Sequence, residues 1–158
     1  GLGFIGSHTA VELQQAGYEV VIIDNCSNSS EDVLDGIEAI TGIRPHFEKF
    51  DLRDRDKVRG FFKKYADLSG VIHFAASKAV GDSVEEPLLY YENNLTTLVS
   101  LLQELEKKGK AHFIFSSSCT VYGQADKMPI TEDAPVKPAE SDLLKSTNIL
   151  GFGRFPIP

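Results

Sequence analysis

The sequence predicts an α/β protein built on a doubly wound parallel sheet, and three observations predict it. Strand-like apolar runs alternate with helical ones along most of the chain. The runs Val20-Val21-Ile22-Ile23 and Val71-Ile72-His73-Phe74-Ala75-Ala76 are continuous rather than alternating, as in strands buried on both faces of a parallel sheet. Gly1, Gly3 and Gly6 are spaced G-x-G-x-x-G, and a helix, a second strand and an acid at that strand's end, Asp24, follow in order. Such glycines let a backbone approach a pyrophosphate, the helix N-terminus turns unpaired N–H groups toward it, and Asp24 is placed to accept from ribose hydroxyls. The motif normally follows a strand, so the first strand is expected to be missing from this chain.

The remaining elements follow in order. Ser7 to Ala16 carries Ala10, Val11 and Leu13 among polar residues and stops at Gly17, which reads as the helix after the glycine loop. Asn25 to Ser30 is a polar loop whose short side chains suit a ribose or phosphate; the other reading is that Ser29 or Ser30 caps the next helix. That helix has Val33, Ile37 and Ile40 in register and ends at Gly42, and His46 to Phe50 is a short strand. Asp51, at the strand's carboxyl end, is placed to meet an adenine amino group, to cap the helix Asp54 to Tyr65, or to do both. After the strand Val71 to Ala76, small Ala75 and Ala76 leave room for a ligand, His73 reads as a core residue, and Lys78 either meets a phosphate or is solvated. Val84 to Lys108 is helical, with Pro87 near its start and a core stripe of Leu95, Leu98, Leu102 and Leu105. Asn93 and Asn94 break that register; exposure to solvent is the default, with one facing a ligand crevice as the other reading. Gly109 ends the helix, and Phe113 to Phe115 is a strand closing on Ser116, Ser117 and Ser118.

Composition narrows the function. The 158 residues suffice for one substantial core, expected as a single domain. A net charge of −7, from 23 acids and 16 bases, argues against nucleic acid or an anionic membrane as partner. No apolar run reaches a membrane span and no signal peptide is evident, so the expectation is a soluble, cytoplasmic protein. Cys26 and Cys119 have no metal-ligand spacing and read as two reduced thiols, and no metal site is expected.

Taken together, GLGFIGSH (1–8), DNCSNS (24–29), Asp51-Leu52-Arg53, HFAASKAVGDSV (73–84), YYENN (90–94), SSSCTVYG (116–123) and KMPITEDAP (127–135) resemble the extended short-chain dehydrogenase/reductases, and among them the UDP-glucose 4-epimerases. The resemblance covers residues 1 to about 141 and leaves 142–158 as a divergent tail. It implies a Rossmann-like fold, here without its first strand and without the substrate lobe, holding NAD and acting on a UDP-sugar, with a homodimer paired through the long helix. Phe4 and Ile5 would lie beside the pyrophosphate, Asp24, Asn25, Asn28 and Ser29 along the adenosine, and Asp51 with Leu52 at the adenine. Phe74, Ala75, Ala76, Lys78 and Asn93 would line the nicotinamide half, with Ser118 near the reacting sugar carbon. In this family a tyrosine of a Tyr-x-x-x-Lys pair takes the proton of the sugar 4-hydroxyl while hydride passes to NAD, and hydride then returns to the other face of the 4-keto sugar.

The chain departs from that pattern at the base. Leu143 stands where the tyrosine is expected and Thr147 where the lysine is expected, and no tyrosine follows Tyr122. The sequence therefore predicts the nucleotide-binding portion of a UDP-glucose 4-epimerase without turnover of its own. A different class of reading is a pseudoenzyme that holds a nucleotide. Within enzymes the runner-up is a nucleotide-sugar 4,6-dehydratase, which needs an acid pair where this chain has Cys119-Thr120.

Overall fold

The computed structural model describes residues 1–77, 79–109, 111–117, 122 and 128–135, and within these the chain alternates helix and strand as expected. The order is α1 (Phe4–Gln15), β1 (Val21–Asp24), α2 (Val33–Thr41), β2 (His46–Lys49), α3 (Arg55–Lys64), β3 (Gly70–His73), α4 (Val80–Glu85), α5 (Pro87–Tyr91), a π-helical turn (Glu92–Thr96), α6 (Thr97–Lys108) and β4 (His112–Phe115). The residues cluster into two compact units, one over Gly1–Lys64 and one beginning at Tyr65.

In the first unit β1 and β2 pair in parallel, Val21 opposite His46 through Asp24 opposite Lys49, with α2 as the crossover that a parallel pair requires. Ile22 of β1 joins Leu2, Ala10 of α1 and Leu34 and Ile37 of α2 in one apolar cluster. The continuous run was expected to be buried on both faces. Only Ile22 is fully buried, because this cluster covers one face of a two-stranded sheet and leaves Val21 and Ile23 half-covered. A second group forms where Phe50 meets Phe61, ring centroids 6.1 Å apart, and Phe61 meets Phe62 edge-on. Glycines close two helices in the left-handed region as expected, Gly17 at φ 88° and Gly42 at φ 74°.

The second unit pairs β3 with β4, again in parallel, Gly70 opposite His112 through His73 opposite Phe115. Among the described residues the strands form two parallel pairs, β1 with β2 and β3 with β4. The long helix begins earlier than expected, at Val80, and is broken: α4 stops at Glu85 and Pro87 starts α5 at its first position, where a missing N–H costs nothing. Its inward face also differs. Tyr90, Asn94, Thr97, Ser100, Leu101 and Leu105 are buried, whereas Leu95, Leu98 and Leu102 are half-buried. Asn94 turns inward onto the backbone of Ser77, Thr97 and Ser100 spend their hydroxyls on carbonyls of their own helix, and the buried stripe lies about a residue from the expected leucine one.

Candidate functional site

In the first unit the three glycines play three different parts. A Cβ on Gly1 would collide with Cγ2 of Ile22 and the carbonyl of Ile23, and one on Gly6 with the carbonyl of Gly1. These two let the loop press against β1 and let α1 press against the loop. A Cβ on Gly3 would meet nothing within 4 Å. Gly3 is the N-cap of α1, in extended conformation at φ −66°, ψ 171°, and no side chain caps the helix. Phe4 (80 % exposed) and Ile5 (53 %) stand at the same helix end. Open backbone at an uncapped helix N-terminus, with glycines closing the space behind it, is what approach of a pyrophosphate requires.

Asp24, at the carboxyl end of β1, faces this loop. Its Oδ2 lies 2.7 Å from the Leu2 N–H and 2.9 Å from the Gly1 nitrogen. Its Oδ1 accepts from the Cys26 N–H at 2.8 Å and the Ser29 hydroxyl at 2.9 Å. Burial raises the Asp24 pKa, and the hydrogen bonds from the N–H groups of Leu2 and Cys26 act against it. Cys26, whose N–H makes that bond, is itself in the left-handed region at φ 56°.

Asp51 follows β2 and lies beside Asn25, which follows β1: the Asn25 side-chain amide donates to its Oδ2 at 3.1 Å. Arg53 grips the same carboxylate from Nε (3.0 Å) and Nη2 (2.8 Å), and its backbone N–H adds a third bond. The Arg53 side chain, opposed by burial, holds the Asp51 carboxyl well below the usual carboxylate range. The alternative reading of Asp51 as a helix cap is corrected. The cap of α3 is Asp54, whose Oδ1 accepts from the Lys57 N–H at 3.1 Å. Neither Ser29 nor Ser30 is the cap of α2, since Asp32 holds that position; Ser29 is spent on Asp24, and Ser30 bonds the Asp32 N–H and carboxylate. Asn28 is exposed and Leu52 half-buried.

In the second unit Phe74 and Ala75 are half-buried and Ala76 is exposed, on the loop that leaves β3. His73 is a core residue as expected, 4 % exposed and stacked with Phe113 and Phe115, and burial pushes its pKa down to about 4. Solvent exposure as the default for both asparagines is corrected. Asn94 is buried and bonded to both backbone groups of Ser77, and Asn93 is half-buried and donates to the Ser77 hydroxyl at 2.6 Å. Lys78, Ser118, Leu143 and Thr147 lie outside the described residues. Among the described residues no group of acids, histidines and cysteines is set to hold a metal, and no helix is long and apolar enough to cross a membrane.

Residues 1–141 match the model of the NAD dependent epimerase/dehydratase family. The chain belongs to this family. A UDP-glucose 4-epimerase of Bacillus subtilis is 50 % identical over 136 residues, which are 86 % of this chain and 40 % of the relative. One from Neisseria meningitidis serogroup A is 47 % identical over the same length. The crystal structure of UDP-glucose 4-epimerase from Bifidobacterium longum, in complex with NAD+ and UDP, superposes with a TM-score of 0.84 at 40 % identity, over 95 % of this chain and 44 % of that one. The Stenotrophomonas maltophila enzyme, with NAD and a formylated UDP-arabinopyranose, gives 0.83 at 39 % identity over 94 % and 44 %. The fold is therefore a partial Rossmann-like one, and the chain spans about 40 % of the length of the curated relatives it matches. The sequence pattern assigned no part to Ser77 and none to the Arg53 side chain. The Asn93-Asn94 pair inside a helix was the available signal for the first, and the Asp-Leu-Arg spacing for the second.

Proposed function

We propose that residues 1–141 are the NAD-binding portion of a UDP-glucose 4-epimerase, a protein that interconverts UDP-glucose and UDP-galactose in galactose metabolism. The observation that carries the reading is the glycine loop, closed behind Gly1 and Gly6 and open at Gly3 beside an uncapped helix. In this reading the N–H groups at the start of α1 receive the pyrophosphate, and Asp24 receives the adenosine ribose. The Ser29 hydroxyl yields its place on Asp24 to the ribose because, unlike the N–H groups of Leu2 and Cys26, it can rotate away. Asp51, kept ionised by Arg53, accepts from the adenine amino group. Phe74, Ala75, Ala76, Lys78 and Asn93 are assigned to the nicotinamide half by the family resemblance, and Ser118 to the sugar. NAD supplies the hydride acceptor for oxidation at the sugar 4-carbon, and this chain's part is to bind and orient. Support for the UDP-sugar comes from relatives crystallised with UDP or a UDP-sugar. A homodimer through the stretch from Val80 to Lys108 is part of the same reading, supported by exposed Val84, Leu88, Leu89 and Val99.

Isothermal titration with NAD tests this. Asp24→Ala removes the acceptor for the ribose and is expected to weaken binding by about 1 to 3 kcal/mol. Equal affinity of the two proteins, or no binding to the wild type, would sink the reading.

A further inference from the structure

We propose that Asn94 is a positioning residue that sets the backbone of the loop after β3, and that the π-helical turn serves to present it to that loop. The inference rests on the reading of this loop as part of the NAD site. Asn94 is 6 % exposed, and both ends of its amide go to one residue: Oδ1 accepts from the Ser77 N–H at 2.7 Å and Nδ2 donates to the Ser77 carbonyl at 2.9 Å. That pair of bonds copies what a neighbouring strand would give, on a segment that has just left β3 and, among the described residues, has no ladder partner. A third bond, from Asn93 to the Ser77 hydroxyl at 2.6 Å, ties the same residue to the preceding position of the helix.

The helix is distorted where it does this. Glu92–Thr96 is a π-helical turn, an arrangement that is rare and that disturbs the regular ladder of the helix. The distortion is internally compensated: the Thr97 hydroxyl donates to the Asn93 carbonyl at 2.7 Å and contacts that of Asn94 at 3.3 Å, and the Ser100 hydroxyl donates to the Thr96 carbonyl at 2.7 Å. A sequence seeking only a stable helix would place leucine at a buried position such as Asn94. An amide there is tolerated only because Ser77 satisfies it.

Amide hydrogen exchange by NMR on the full chain, with NAD titrated in the same samples, decides the matter. In Asn94→Ala the Ser77 amide is expected to exchange about tenfold faster or more while the β3 and β4 amides keep their protection, and the NAD Kd to rise about tenfold. Asn94→Asp keeps the acceptor for the Ser77 N–H but sets a second oxygen against the Ser77 carbonyl, so Ser77 protection should return only in part. Ser77→Ala keeps both backbone bonds and should leave its amide protected. Should Asn94→Ala fail to melt cooperatively, Asn94→Ser, polar but too short to reach both groups, carries the same expectations. Ser77 exchange at the wild-type rate in the truncated variants would overturn the proposal. So would faster exchange with an unchanged NAD Kd, since that describes a residue that holds the fold alone. Wild-type protein that takes no NAD would overturn the reading of the site, and the exchange comparison would then decide the positioning by itself.

Discussion

Residues 1–158 are expected to show no epimerisation of UDP-galactose even with NAD supplied, and extension of the chain at its N-terminus alone is not expected to change this. Hydride can leave the sugar 4-carbon only as the proton of the 4-hydroxyl departs, so the reaction needs a base at that oxygen. Leu143 has no proton to exchange, and Thr147 carries no charge with which to lower a neighbour's pKa. Ser118 offers an alcohol, which orients a hydroxyl but accepts its proton poorly near neutral pH without a base partner. Tyr122 is the nearest phenol in sequence, and the residue four positions on is Asp126 rather than a lysine. General-base catalysis alone contributes about 10²- to 10⁴-fold, so turnover should drop below detection in an assay that follows a complete enzyme easily. The check is a coupled assay for UDP-galactose consumption. Turnover that disappears in Tyr122→Phe would identify Tyr122 as the base and refute the argument.

The second large effect separates binding from folding at the glycine loop. Gly6→Ala should destabilise the protein by about 1 to 3 kcal/mol or more, because the new methyl meets the Gly1 carbonyl, a backbone atom that cannot swing aside. Alanine's better helix propensity, about 1 kcal/mol, works in the opposite direction and is the smaller term. Gly3→Ala adds the same methyl in open space and at an ordinary φ of −66°, so stability should stay within about 1 kcal/mol of the wild type. NAD affinity should nonetheless fall about tenfold or more, since that space is where the pyrophosphate must approach the backbone. Thermal melts and NAD titrations of the two variants read the two quantities separately. A Gly3→Ala protein that binds NAD as tightly as the wild type would show that the phosphate does not come to this loop.

What the sequence determined by itself was whatever depends on neighbours along the chain. The glycine spacing, the helix stops at Gly17, Gly42 and Gly109 and the strand ending at Asp24 are all local: each follows from the φ range or periodicity of a few residues. The family motifs were legible for the same reason, being short strings in a fixed order. Tertiary structure decided what depends on partners distant in sequence. Whether Asp51 or Asp54 capped α3 turned on Arg53 and Asn25 claiming the first carboxylate, and Asn25 lies 26 residues away. Whether Asn94 faced water or the interior turned on Ser77, 17 residues earlier. An amide scores as polar in any sequence pattern. Its burial becomes favourable only when both of its ends find partners, and no periodicity records where those partners are.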